Sequence, residues 1–322
     1  MSDPRPVWFY HAMALFTVLV WSWSYVHVIW LTEAVGPSAL VALRMDSFGI
    51  ALLVLWIWRR PKLRHITRRQ WVYLIIVGFV SYPGYHFPLA WGADNGRTDA
   101  ALIGLIIATI PVHAGWLAWL VLRERINGLA IIALSLGLVG VATVVIGRNG
   151  TGGLRPDTIA GPLAITFSSI MGAGIATLNR GARHILKPMD LVAVGGVIGF
   201  LMSTVLHFPA DAAEFRGLSL ANYWQIFFLG FIAIGICYVT WITALSGLRT
   251  VNVAIYLFLA AILSALWGFL FQGNEIGLEF FIGAVFVLAG LLTMVATTPR
   301  RAPSPTPTPI ATPTAAPADD PA

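Results

Sequence analysis

The sequence predicts an all-α membrane protein whose ten transmembrane helices form two inverted five-helix repeats. Three observations predict it. Apolar residues make up 58% of the 322-residue chain and charged residues only 11%, against roughly 25% charged in soluble domains. The apolar residues gather in ten blocks, each close to the roughly 20 helical residues that cross about 30 Å of hydrocarbon. The second five blocks echo the first five: Trp116 and Glu124 return 151 residues later as Trp267 and Glu275, and Trp91 returns as Trp241 at an offset of 150. Five is an odd number, so the second copy enters the bilayer from the opposite side. Inverted repeats of this kind give near-equivalent inward-open and outward-open states around a central site.

The spans expected are 9–30, 37–58, 71–91, 99–122, 128–147, 159–179, 189–208, 222–245, 250–272 and 278–298. Helix is the expected form throughout, because strand-like alternation is missing and only helices or closed barrels satisfy backbone groups in lipid. The first span reads as a membrane helix rather than a cleavable signal, being long and followed by no small-x-small site. The second carries Arg44 and Asp46, the only charges well inside a span. Pro83, Gly84 and Pro88 in the third span predict a broken or kinked helix. In the ninth, Ala260, Ser264 and Gly268 make a small-residue stripe, as Ala114 and Ala118 do in the fourth. Such stripes let backbones approach, so these two spans are expected to cross near the molecular centre. The halves run 1–147 and 148–298. The remainder, 299–322, holds 8 of the 19 prolines and is expected to be extended and disordered, with no core to bury.

Charge orients the spans. With the N-terminus in the cytoplasm, 15 of the 20 Lys and Arg fall on that side, including Arg59, Arg60, Lys62, Arg64, Arg68 and Arg69. The opposite side holds only Arg97, Arg148, Arg155 and Arg216. Positive charge is retained inside during insertion, so both termini are expected in the cytoplasm. The net charge of +6 follows from this bias and implies contact with anionic lipid rather than nucleic acid. The single cysteine, Cys237, excludes a disulfide framework or a cysteine-based metal site.

Four local patterns resemble the ten-span exporters of the drug/metabolite transporter superfamily, whose repeat unit is the EamA domain. Leu19-Val-Trp21-Ser-Trp-Ser-Tyr25-Val resembles the first-span pattern, with Ser22 in its glycine position. Ala42-Leu-Arg44 resembles the second-span arginine, and Ile110-Pro111-Val112 with Glu124-Arg125 resembles the fourth span and its turn. Gly283 and Gly290 resemble the tenth-span spacing. At an offset of 151, Trp21 meets Gly172 and Pro111 meets Ile262, so the halves are not equivalent around the pathway. The resemblance implies helices 1–4 and 6–9 around a central cavity, with helices 5 and 10 outside it. It also implies export of amino acids, metabolites or drugs across a bacterial inner membrane.

Polar and aromatic groups in mid-span tend to face a cavity or one another. Tyr82, Tyr85 and His86 share one helical face beside the expected break, a candidate binding platform. The first span offers Trp21, Ser24 and Tyr25, and the fourth offers His113 and Trp116. From the second half come Tyr238 and Trp241, with Asn252 and Tyr256 in the ninth span. Rings with hydrogen-bonding tips suit an aromatic or amphipathic metabolite; packing or an interfacial belt is the competing reading. Arg44 is a candidate for a substrate carboxylate or for capping a broken helix, the second being favoured. Asp46, His86 and His113 are candidate proton carriers, the histidines because their unperturbed pKa lies near neutrality.

The favoured function is secondary transport of a small molecule by alternating access, with membrane lipid as surroundings and a homodimer left open. No cofactor is implied, since no Gly-rich phosphate loop ending in Lys-Ser or Lys-Thr occurs. A lipid-linked sugar flippase is an alternative reading. An intramembrane enzyme is another, disfavoured because no His-Glu-x-x-His pair or nucleophile elbow lies within a span.

Overall fold

Helix accounts for every regular element among the described residues of this computed structural model, which are 5–61, 63, 66–122, 128–149, 156–182, 185–207, 217–248 and 250–297. In order these are α1 (Val7–Ala34), α2 (Pro37–Arg59), α3 (Arg68–Ser81), α4 (Pro83–Ala93), α5 (Ala100–Ile107), α6 (Ile110–Leu122) and α7 (Gly128–Asn149). The second half supplies α8 (Pro156–Gly181), α9 (Pro188–His207), α10 (Leu220–Phe227), α11 (Cys237–Gly247), α12 (Thr250–Gln272) and α13 (Leu278–Thr297). A π-helical segment, Phe228–Ile236, joins α10 to α11. Ten apolar rods result, because α3 with α4, α5 with α6, and α10 through α11 each form one interrupted span. Seven rods are long and apolar enough to cross a bilayer, and three shorter apolar helices complete the set. The Pro-rich tail, 299–322, lies outside the described residues.

Two of the three interruptions have a local cause, and the third is set by contacts from other helices. Pro83 has no N–H to give the preceding turn, and it restricts the residue before it. Tyr82 accordingly leaves the helix, with φ −121° and ψ −83°, and Pro83 restarts it in the first turn of α4, the position a proline tolerates best. In the fourth span, Thr109 turns its hydroxyl onto the Ile106 carbonyl at 2.6 Å. Pro111 follows in the first turn of α6. The eighth span holds no proline. It instead widens into the π-helical segment, whose carbonyls are served from outside: Trp21 Nε1 donates to Ala233 O at 2.8 Å.

Packing between the halves comes in matched pairs. Where α1 packs on α12, the equivalent rods α8 and α6 pack; where α4 packs on α8, α11 packs on α1; where α2 meets the π-helical segment, α9 meets α3. Three further contacts, α2 with α9, α5 with α12 and α7 with α13, join a rod to its own counterpart. The halves are inverted. Arg59 at the end of α2 pairs with Asp190 in the first turn of α9, 2.9 Å apart, so counterpart helices run antiparallel.

Glycines set how closely rods meet. A Cβ on Gly140 of α7 would stand 2.6 Å from the Gly283 carbonyl, and one on Gly283 of α13 would stand 2.5 Å from the Gly140 carbonyl. Those two helices cross backbone to backbone, away from α1 to α4. The fourth and ninth spans also touch, as expected: Gly104 faces Ser264 and Ala261, and Gly268 faces Ala100. The ninth-span stripe serves this contact. Its partner is the start of the fourth span, well before Ala114 and Ala118.

Candidate functional site

The two interrupted third spans approach each other through Tyr82 and Tyr238, whose rings stack 6.0 Å apart. Adding the repeat offset to Tyr82 gives 82 + 151 = 233, the middle of the π-helical segment. Both halves therefore break the same helix at the same place, one with a proline and one with a π-bulge. π-Helical turns are uncommon and gather at functional sites. Gly230 allows this segment to lie directly on α2: a Cβ there would overlap the Arg44 carbonyl and come within 2.8 Å of the Phe48 nitrogen.

Around this junction stands a continuous aromatic cluster. Phe48 stacks on Tyr82 with centroids 5.2 Å apart, and Tyr82 stacks on Tyr238 at 6.0 Å. Tyr238 meets Trp21 edge-on at 6.4 Å, and Trp21 lies 5.2 Å from Trp241. On the other flank, Tyr85 stands edge-on to His86 at 4.9 Å. Two glycines of α9 make room for the stack, since a Cβ on Gly199 would overlap the Tyr82 ring and one on Gly196 would come within 3.3 Å of its hydroxyl. Gly172, which stands where the first half has Trp21, leaves space for Tyr85 and Ile110. The lost tryptophan of the second half thus makes room for a tyrosine of the first.

Arg44 sits inside this cluster. It is 3% exposed, and its Nε and Nη1 find no hydrogen-bond partner. The phenols of Tyr85, Tyr238 and Tyr25 lie close enough to interact with its charge. His86 is also 3% exposed, with neither ring nitrogen partnered. The favoured expectation for Arg44, capping carbonyls of a broken helix, is not met at those two nitrogens. Tyr25, Arg44, Tyr82 and His86 are all buried, so the centre is closed to both faces in this conformation.

Other expected site residues lie elsewhere. Trp116 is 36% exposed, and Asp46 faces outward from α2. Ser24 is buried, but its hydroxyl donates to the Trp21 carbonyl of its own helix at 2.7 Å. His113 lines a small void of about 10 Å³ between α6, α7 and α8, with Thr109 and Thr166, room for about one water. Tyr256 hydrogen-bonds His11 at 3.0 Å, near the starts of α12 and α1. Asn252 lies in the first turn of α12, with its side chain outside the described residues. Among the described residues, no three His, Cys, Asp or Glu side chains gather as a metal site.

Sequence reasoning missed Phe48, the π-helical segment and a second aromatic nest. In that nest His27, 6% exposed, stands against Trp23 and Trp30 at 5.4 Å each and Phe228 at 4.7 Å. The spacing 23, 27, 30 places all three on one helical face and was there to be read.

Ten apolar rods in two inverted halves, closing on a polar and aromatic centre beside two broken helices, define a membrane transporter. The chain belongs to the EamA-like transporter family, which matches it twice, at residues 8–146 and 159–296. It is 21% identical over 289 residues to the uncharacterized transporter YoaV of Bacillus subtilis, covering 88% of this chain and 95% of that protein. It is 28% identical to the uncharacterized transporter YwfM of the same organism, covering 84% and 87%. An uncharacterized transporter of Archaeoglobus fulgidus is 21% identical, covering 87% and 96%. A protein crystal structure superposes with a TM-score of 0.59 at 20% identity, over 89% of this chain and 96% of its own.

Proposed function

We propose that the chain exports small amphipathic or aromatic metabolites, amino acids among them, across a bacterial inner membrane by alternating access. The observation that carries this reading is the closed centre: Tyr82, His86 and Arg44 are sealed between two helices interrupted at equivalent positions. A solute reaches such a centre only if the walls move, and interrupted helices are where walls bend with least loss of hydrogen bonding. The repeats 1–147 and 148–298 are the two bodies that rock, and the positive-inside bias puts both termini in the cytoplasm.

Transport needs no nucleotide and runs in the facilitated mode. His86 is the best-placed proton carrier, yet the groups that meet it are Tyr82, Tyr85 and Arg44. None of these is a carboxylate that would hold a proton-bearing imidazolium.

Inside-out vesicles loaded with a radiolabelled panel of amino acids and aromatic acids test the proposal. Vesicles containing the protein should take up at least one solute faster than empty vesicles do. They should reach the same steady state with and without an imposed pH gradient. Uptake that matches empty vesicles for every solute would remove export from the reading, and a gradient-dependent steady state would replace the facilitated mode with proton coupling.

A further inference from the structure

We propose that Arg44 is the anion receptor of the central site, so that the solute carried bears a single carboxylate on an apolar or aromatic body. This rests on the transport reading above and names its substrate class.

The argument begins with an imbalance. Arg44 is 3% exposed and lies on α2 at the middle of the molecule, where Nε and Nη1 have no partner. A guanidinium stays charged at every physiological pH and presents its N–H groups as a rigid fork. Burying that charge unpaired is costly, and proteins meet the cost with a counter-ion or hydrogen bonds. Among the described residues, the groups whose charge or polarity bears on Arg44 are Tyr85, Tyr238, Tyr25 and His86, hydroxyls and an imidazole. The one acid nearby in sequence, Asp46, is exposed on another face of α2. Among the described residues, the centre therefore holds a cation with open donors and no anion of its own.

A carboxylate fits what is missing. Its two oxygens match the guanidinium fork in a bidentate pair, the strongest form of charge-assisted hydrogen bond. His86, with both ring nitrogens unpartnered, supplies a further neutral donor beside the same point. The rings of Tyr82, Tyr238 and Trp21 give the rest of the solute an apolar wall.

Repeat symmetry sets the number of charges. The counterpart of Arg44 is 44 + 151 = 195, and residue 195 is glycine. One half brings a cation and the other brings none, so one anionic head is matched and a dianion such as a phosphate monoester is left half compensated.

The experiment is thermal unfolding of the purified protein with L-leucine, L-phenylalanine and 3-phenylpropionate, each compared with its own amide. At least one acid should raise the unfolding midpoint saturably, with its amide binding roughly 10- to 150-fold more weakly, the range of a charge-assisted hydrogen bond. Arg44→Gln should bind acid and amide alike, and Arg44→Lys should recover part of the preference. Should Arg44→Gln fail to fold, the wild-type comparison of acid with amide still decides. Equal stabilisation by acid and amide, or stabilisation by none of the six compounds, overturns the proposal. The two readings fail separately. Flux of a solute without a carboxylate, equal in the wild type and Arg44→Gln, removes the anion site and leaves transport standing. Acid-selective binding without flux of any solute removes transport and leaves the anion site.

Discussion

Tyr82, Tyr85 and His86 illustrate what single residues do here. Tyr82 is a stacked member of a packed column, 2% exposed between Phe48 and Tyr238, whereas Tyr85 and His86 border the charge of Arg44. Truncating a buried ring costs about 1–3 kcal/mol, or roughly 5- to 150-fold in affinity. Tyr85→Ala and His86→Ala should therefore lower transport by that factor while leaving the amount of inserted protein near wild type. Tyr82→Ala should lower both, because it also removes the column that fills the space above Gly196 and Gly199. Quantitative immunoblots of membranes beside initial-rate uptake separate the two effects; three variants with wild-type rates would make the cluster mere packing.

These residues were legible because Pro83 marks a break and polar rings in mid-span contrast with their surroundings. Phe48 was not legible, since a phenylalanine in an apolar helix carries no contrast. Trp116 is marked for the pathway by the helical face it shares with His113, and it also echoes Trp267. The echo is real, but the neighbours differ. Trp267 Nε1 donates to Ser22 at 3.1 Å, and the counterpart of Ser22, at 22 + 151 = 173, is alanine. Without an acceptor at that position, the indole N–H of Trp116 has no equivalent bond to make.

At the scale of elements, the ten rods were readable to within a few residues from hydropathy alone, because length and apolarity are what a bilayer demands. Their interruptions were readable only where a proline causes them. The π-helical stretch Phe228–Ile236 is apolar throughout and contains no proline. What widens it is tertiary, with Trp21 serving the Ala233 carbonyl and Gly230 admitting α2. The contact of α7 with α13 is built on glycine instead. Without a hydrophobic drive between helices in lipid, close van der Waals contact holds such a pair together. Gly283→Leu should force these helices apart, and overpacking of this kind costs about 1–3 kcal/mol. The measurable result is a lower unfolding midpoint with the solute preference of any surviving flux unchanged, because the contact lies away from the central cluster. A change in preference would show that this helix pair reaches the pathway.

For the whole molecule, the matched packing pairs and the antiparallel α2–α9 contact make the halves an inverted duplicate. The side of the membrane is a separate matter, argued from charge alone. The 15-to-4 bias in Lys and Arg predicts cytoplasmic termini. Alkaline phosphatase fused after residue 298 should be inactive, and the same enzyme inserted between residues 150 and 155 should be active. The reverse pattern would turn the molecule over in the membrane and put both termini on the far side. The fold was legible from few signals because an odd span count and a fixed offset leave one arrangement. The charge balance of the centre was not, because no pattern in the sequence tells whether Arg44 meets an acid.

The two breaks in the third helices also differ in how they behave over time. A proline break is a covalent fact, fixed at residue 83 in every conformation. A π-bulge is a register: one surplus residue held in a turn. It travels along a helix as successive carbonyls exchange one donor for the next, and the hydrogen-bond count is the same at each stop. Under the proposed alternating access, the wall formed by α3 and α4 would therefore bend at one fixed point. The wall formed by α10, the π-helical segment and α11 would instead bend by shifting that register, and the Trp21 bond to the Ala233 carbonyl marks its position in this conformation.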